Sequence, residues 1–136
     1  MSPLVFEASG PKSSDDLQPL VWAINGQIVQ VFVNIIFNAV QAMERKGQLI
    51  IKTLSDPYFV HIDIIDSGPG IEEQHLSKLF DPFFTTKDIG SGTGLGLYIS
   101  HGIIDKHKGK LLAYNAPMAG ARFRVSLPIE ARKQNR

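Results

Sequence analysis

Cysteine is absent from the 136-residue chain, which excludes disulfides, thiolate metal sites and a cysteine nucleophile and fits a reducing compartment. Neither sign of charge is in excess. The 14 Lys and Arg stand against 13 Asp and Glu, so the electrostatic footprint of a nucleic-acid binder is missing and any anion site must be local. Long apolar runs are missing too. No window approaches the roughly 20 apolar residues of a membrane span, and residues 1–10 lack a basic stretch followed by an apolar one. The chain therefore reads as soluble and cytoplasmic, although a longer parent protein can carry membrane spans of its own. No internal repeat or low-complexity tract occurs. The length suits one domain with one core. It divides into a lead-in over 1–19 with a candidate edge strand, a globular part over 20–128 and a polar tail over 129–136.

What is present is concentrated around Asp66-Ser67-Gly68-Pro69-Gly70. Upstream, Val60, Ile62 and Ile64 alternate with His61 and Asp63, the period of a strand with one face in a core. That alternation puts Asp66 on the apolar face. A carboxylate there is costly unless something specific hydrogen-bonds to it, and the glycines after it let a ligand approach the backbone. A flat, donor-bearing group suits such a corner. Taken alone, the same residues also read as an ordinary turn.

A second signal is another absence. Residues 27–43 contain no charge, while Gln27, Gln30, Asn34, Asn38 and Gln41 recur at spacings of three and four, one face of a helix. The rest of that helix is apolar, from Ile28 to Met43, and is expected to be covered on most of its circumference. Amide carbonyls are hard oxygen ligands suited to Mg²⁺, which is often held by one or two protein groups plus substrate phosphates. An amide-rich amphipathic helix is the plainer reading of the same stripe. Gly47 is expected to stop the helix.

Two strands follow, over 48–54 and 58–65, joined across Asp56-Pro57 as a hairpin. A short helix is expected over 72–79. Residues 80–87 read as a loop in which Phe80, Phe83 and Phe84 cap the core. Gly90, Gly92, Gly94 and Gly96 then lead into an apolar helix through Ile99, Ile103 and Ile104. Glycines before a helix leave backbone N–H groups to point at an anion. The spacing matches neither the nucleotide loop with a Lys-Ser/Thr pair nor Gly-x-Gly-x-x-Gly. Strands over 110–115 and 121–127, around a turn at 116–120, finish the globular part.

In order and spacing, residues 34–42, then Asp66, Gly68 and Gly70, then 80–87 and 90–97 resemble the N box, first glycine box, F box and second glycine box of histidine-kinase ATP-binding domains. That superfamily, GHKL, also holds the ATPase domains of gyrase, Hsp90 and MutL. Asn38-Ala39-Val40-Gln41-Ala42-Met43 and Asp81-Pro82-Phe83-Phe84-Thr85-Thr86-Lys87 look most like the nitrogen-regulation-sensor branch. The resemblance implies a two-layer α/β sandwich of the Bergerat type, a mixed sheet with helices on one face. It implies ATP and Mg²⁺ as ligands, with Asn38 on Mg²⁺, Asn34 beside it toward the phosphates, and Asp66 accepting the adenine amino group. Gly68 and Gly70 would give the base room, and Gly92, Gly94, Leu95 and Gly96 would present backbone to the phosphates. Thr93 and Lys87 would contact them from the ATP lid. Gln41 stands where many histidine kinases carry a basic residue and is kept among the nucleotide-binding candidates.

In the hydrolases and serine kinases of the superfamily a Glu stands four residues before the Mg²⁺-binding Asn. Asn34 occupies that place here, and a neutral amide cannot act as a general base. The expected chemistry is in-line phosphoryl transfer from ATP to a nucleophile supplied from elsewhere, with Asn34, Asn38 and Lys87 positioning it. In histidine kinases that nucleophile is a His, usually followed by an acidic residue. His61, His75, His101 and His107 lack that neighbour, and His101 and His107 read as surface or packing residues. The phosphoacceptor is therefore expected on a separate dimerisation domain, with a response regulator downstream. The alternative is a non-catalytic ATP-responsive module whose lid recruits a partner.

Overall fold

The computed structural model describes residues 2–5, 20–84, 95–117 and 120–129, with the backbone alone at 2–5 and 20–22. Its centre is the pair of strands whose alternation is strictest. In β4 (Phe59–Asp66) and β6 (Ala121–Pro128) the residues Val60, Ile62 and Ile64 stand opposite Leu127, Val125 and Phe123. All six are buried, so these cross-strand pairs form the floor of the core. β3 (Leu49–Ser55) flanks β4, and β5 (Lys110–Asn115) flanks β6, which gives the order β3-β4-β6-β5. Asp56 closes the β3–β4 hairpin by accepting the Tyr58 and Phe59 N–H groups at 2.8 and 2.7 Å.

Helices cover one side of this sheet. α1 (Asn25–Ala42) buries Ile28, Val31, Ile35 and Ala39, spaced three, four and four apart, and α3 (Gly96–Lys106) buries Ser100 and Ile104. Burial of each such aliphatic side chain is worth about 1.5–3 kcal/mol. That seam, and not capping, holds α1: it has no acidic residue in its first turn, no basic residue in its last and no side-chain cap at Ile24. β1 (Ser2–Val5) and β2 (Leu20–Ala23) form a separate antiparallel pair leading into α1. His107 ties that junction to the end of α3. Its Nε2 accepts the Ile24 N–H at 3.1 Å while Nδ1 lies 2.7 Å from the Ile103 carbonyl, so the neutral Nδ1–H tautomer satisfies both bonds. This is the packing role expected of it. His101 is exposed, its ring 5.1 Å from that of Phe80.

The two-layer α/β sandwich is as the resemblance implied, but all pairings of the four-stranded sheet are antiparallel where a mixed sheet was expected. α1 is also less covered than its composition suggested. Val29, Val33 and Phe37 form an exposed stripe at i, i+4 and i+8, because the sheet and α3 occupy the other sides. The helix ends earlier than Gly47: Glu44 and Arg45 take left-handed φ of 54° and 65°, and their N–H groups bond to Gln41 and Val40 carbonyls. The helix after Glu72 shrinks to α2 (Glu73–Leu76), whose residues have no buried face to extend it. Phe80 and Phe84 are half-buried as expected. Phe83 is not: it is 71% exposed, with φ of 66° turning it outward.

Candidate functional site

Asp66 ends β4 on the helix-covered side and is 4% exposed. Its cost of burial is offset by backbone donors. Oδ1 accepts the Gly68 N–H at 2.9 Å and the Ala121 N–H at 3.1 Å, and the Asp66 carbonyl accepts the Gly120 N–H at 2.9 Å. Both side-chain bonds fall on one oxygen, and among the described residues Oδ2 receives none. A carboxylate oxygen is acceptor-only, so Oδ2 is the atom of Asp66 that can take a hydrogen bond from a ligand donor.

The turn after Asp66 is held open. Gly70 has φ of +85°, a glycine conformation, and a Cβ there would come 2.7 Å from Asn115 Oδ1. Asn115 clamps the next residue with both ends of its amide: Oδ1 accepts the Ile71 N–H and Nδ2 donates to the Ile71 carbonyl, each at 2.7 Å. Gly68 faces the end of α1, where a Cβ would lie 3.5 Å from the Ala42 carbonyl and 3.3 Å from Met43 Cγ.

α1 then acts as a ruler. Its last turn abuts the Gly68 turn, while Asn34 donates both amide hydrogens to α3, to the Gly96 carbonyl and to Ser100 Oγ, each at 3.1 Å. Asn34 Oδ1 accepts from Gln30 Nε2 at 3.0 Å. From Asn34 to Ala42 the helix advances about 12 Å at 1.5 Å per residue. Asn38 and Gln41 lie between, both half-buried. The Gln41 Oε1 atom is buried with no hydrogen-bond partner among the described residues. Asn34 thus fixes the start of α3 beside the middle of α1, and Asp66 sits near the end of that helix. Leu95 and Gly96 open α3, with the Leu95 carbonyl accepting the Ile99 N–H at 2.8 Å. Lys87, Gly90, Gly92, Thr93 and Gly94 lie outside the described residues.

The sequence pattern did not reveal Asn115, Gly120, Ala121 or Ser100. Gly120 had a usable signal, since it directly precedes the strict alternation Ala121, Phe123, Val125, Leu127, but it reads as a turn residue. A second buried carboxylate was also missed. Alternation assigned Asp63 to the open face, yet it is fully buried, paired bidentately with Arg124 Nε at 2.7 Å and Nη2 at 2.8 Å, with Arg122 Nε at 3.4 Å. Burial alone would raise its carboxyl, but the Arg124 bonds and charge, with Arg122 and His61 nearby, outweigh it and hold Asp63 below the usual carboxylate range. Arg124 is raised in turn, chiefly by its hydrogen bond to Asp63.

An acceptor at the Asp66 end, the start of α3 at the other and uncharged amides along α1 between them suit a nucleotide. Residues 24–131 match the family of histidine kinase-, DNA gyrase B- and HSP90-like ATPases, and the chain belongs to it. Within that family it is a catalytic, ATP-binding domain of the sensor histidine kinase type. It is 41% identical to sporulation kinase A of Bacillus subtilis over 108 residues, covering 77% of this chain and 18% of that protein. To the signal transduction histidine-protein kinase AtoS of Escherichia coli it is 47% identical over 102 residues, covering 74% of this chain and 16% of AtoS. The chain thus spans less than a fifth of these two relatives. Among solved structures, the catalytic domain of histidine kinase ThkA superposes with a TM-score of 0.72 at 36% identity, over 84% of this chain and 75% of that one. Among the described residues no helix is long and apolar enough to cross a membrane.

Proposed function

We propose that the chain holds ATP with its adenine amino group on Asp66 Oδ2 and its phosphates at the start of α3, and transfers the γ-phosphoryl group to a His on a separate dimerisation domain. The observation that carries this reading is the one-sided satisfaction of Asp66, with the amide stripe of α1 running about 12 Å from Asn34 to the Gly68 turn. Gly68 and Gly70 are assigned to give the base room and Leu95 and Gly96 to face the phosphates, as are Gly92, Gly94, Thr93 and Lys87, which lie outside the described residues. Mg²⁺ fits the donor set as a cation arriving with the nucleotide. No cluster of three or more His, Cys, Asp or Glu suited to a metal is present among the described residues, and on this reading the protein ligands are amide carbonyls. Asn38 is assigned to that role, and the orphaned Gln41 Oε1 offers a hard acceptor one turn on. Bound there, the cation would neutralise charge on the transferring phosphoryl group.

Asn34 spends both amide hydrogens on α3 and is uncharged, so it cannot take a proton from water. Its part is to fix where the phosphate end begins. A response regulator downstream and a cytoplasmic location follow from the same reading.

The test is phosphotransfer in trans. Incubated with γ-labelled ATP and Mg²⁺, the chain alone should release little phosphate, and addition of a phosphoacceptor domain from a close relative should yield an acid-labile, base-stable phosphoprotein. Saturable ATP binding without transfer to any such domain would leave an ATP-responsive binding module instead.

A further inference from the structure

We propose that Gly120 is a positioning residue that determines base specificity, because only a residue without a side chain lets the backbone at 120–121 lie against Asp66 and commit Oδ1, leaving Oδ2 alone to the ligand. This rests on the reading of Asp66 as the acceptor for the base. A Cβ built on Gly120 overlaps Asp66 Oδ1 and comes 2.7 Å from both Gly68 N and Gly68 O. These are backbone atoms and a buried carboxylate, with no flexible tip to swing aside. Gly120 is itself buried, and it is fixed by its N–H to the Asp66 carbonyl and by its own carbonyl, which accepts the Ala116 N–H at 2.9 Å. The strand start that it permits delivers the Ala121 N–H to Oδ1.

With Gly68 supplying the second donor to the same atom, rotation of the carboxylate about χ2 breaks two bonds at once. Oδ2 is then a fixed, acceptor-only atom facing the base. A purine with an amino group at C6 meets it with a donor. One with a carbonyl at C6 meets it acceptor to acceptor, beside a carboxylate that is only 4% exposed. A side chain at position 120 displaces the 120–121 backbone, frees the carboxylate to turn and erodes that discrimination while leaving the phosphate end of the site, more than one helical turn away, untouched.

The experiment is calorimetric titration of the chain with ATP, with inosine triphosphate and with purine riboside triphosphate, which lacks any group at C6. The wild type should prefer ATP to purine riboside triphosphate by about tenfold or more, the worth of one charge-assisted hydrogen bond, and should bind inosine triphosphate more weakly still. Gly120→Ala should bring that ATP preference close to unity while purine riboside triphosphate affinity changes by about twofold or less. In an Asp66→Asn background Gly120→Ala should have no further effect on ATP, since the two act through one atom. Equal weakening of all three ligands would mean general damage and overturn the proposal, as would an ATP preference that survives Gly120→Ala. A wild type with no preference for the C6 amino group would overturn the underlying reading of Asp66. If Gly120→Ala does not fold, lactic acid in place of Ala121 removes the donating N–H without adding an atom: a reduced ATP preference supports the proposal, and an unchanged one refutes it.

Discussion

Two carboxylates lie buried three residues apart on β4, on opposite faces of one sheet, and they differ in what is left over. Asp63 is fully engaged: both oxygens meet the Arg124 guanidinium and Arg122 closes in from the side. Asp66 has both of its side-chain hydrogen bonds on Oδ1. The first arrangement leaves neither oxygen without a cation, and it clamps β4 to β6. The second is open by one acceptor, next to the turn that abuts the end of α1. Burial of an acidic residue therefore says little about its role; the distribution of its donors separates a closed strut from a carboxylate with an acceptor to spare.

The widest separation between the two comes from removing the charge of each. Asp63→Ala leaves two guanidiniums together without an anion and should lower unfolding stability by about 3 kcal/mol, read from urea denaturation, with ATP affinity unchanged in the folded protein. Asp66→Asn keeps an oxygen for Gly68 and Ala121 but turns a donor toward the base. It should cost about 2 kcal/mol of binding, roughly 30-fold in Kd, with little change in melting temperature. Asn115→Ala tests whether the Asp66 corner also depends on its surroundings: losing the two bonds to Ile71 should cost about 1 kcal/mol of stability and loosen ATP binding by a smaller factor.

The smallest effect belongs to a third carboxylate, Asp56 in the exposed hairpin turn. The His61 hydrogen bond, followed by the Tyr58 and Phe59 N–H groups, draws its carboxyl down from 3.8 to about 2. A lowered carboxyl stabilises the fold above its unfolded value and loses that contribution as pH falls through the folded one. Thermal melts between about pH 4 and pH 2 should therefore fall less steeply for Asp56→Asn than for the wild type. Asp63, also held low, contributes in the same direction.

Elements with a local rhythm are legible in the chain itself. The three-and-four spacing of the amides Gln27, Gln30, Asn34, Asn38 and Gln41 locates α1, strict alternation locates β4 and β6, and the same alternation places Asp66 on the covered face. Contacts that depend on register between distant segments are not legible. Arg124 reaches Asp63 across 61 positions, Ala121 reaches Asp66 across 55 and Asn115 reaches Ile71 across 44. No periodicity encodes such pairings. Phe83 misleads for a different reason: hydrophobicity argues for burial, but its left-handed backbone points the ring at solvent.

The central claim, that Asp66 Oδ2 is the acceptor for the nucleotide base and Asp63 is a strut, is tested most directly by titrating ATP into the wild type, Asp66→Asn and Asp63→Asn side by side, with and without Mg²⁺. The account predicts saturable binding to the wild type, weakening of roughly 30-fold in Asp66→Asn and wild-type affinity in folded Asp63→Asn. Equal affinity in the wild type and Asp66→Asn would contradict it.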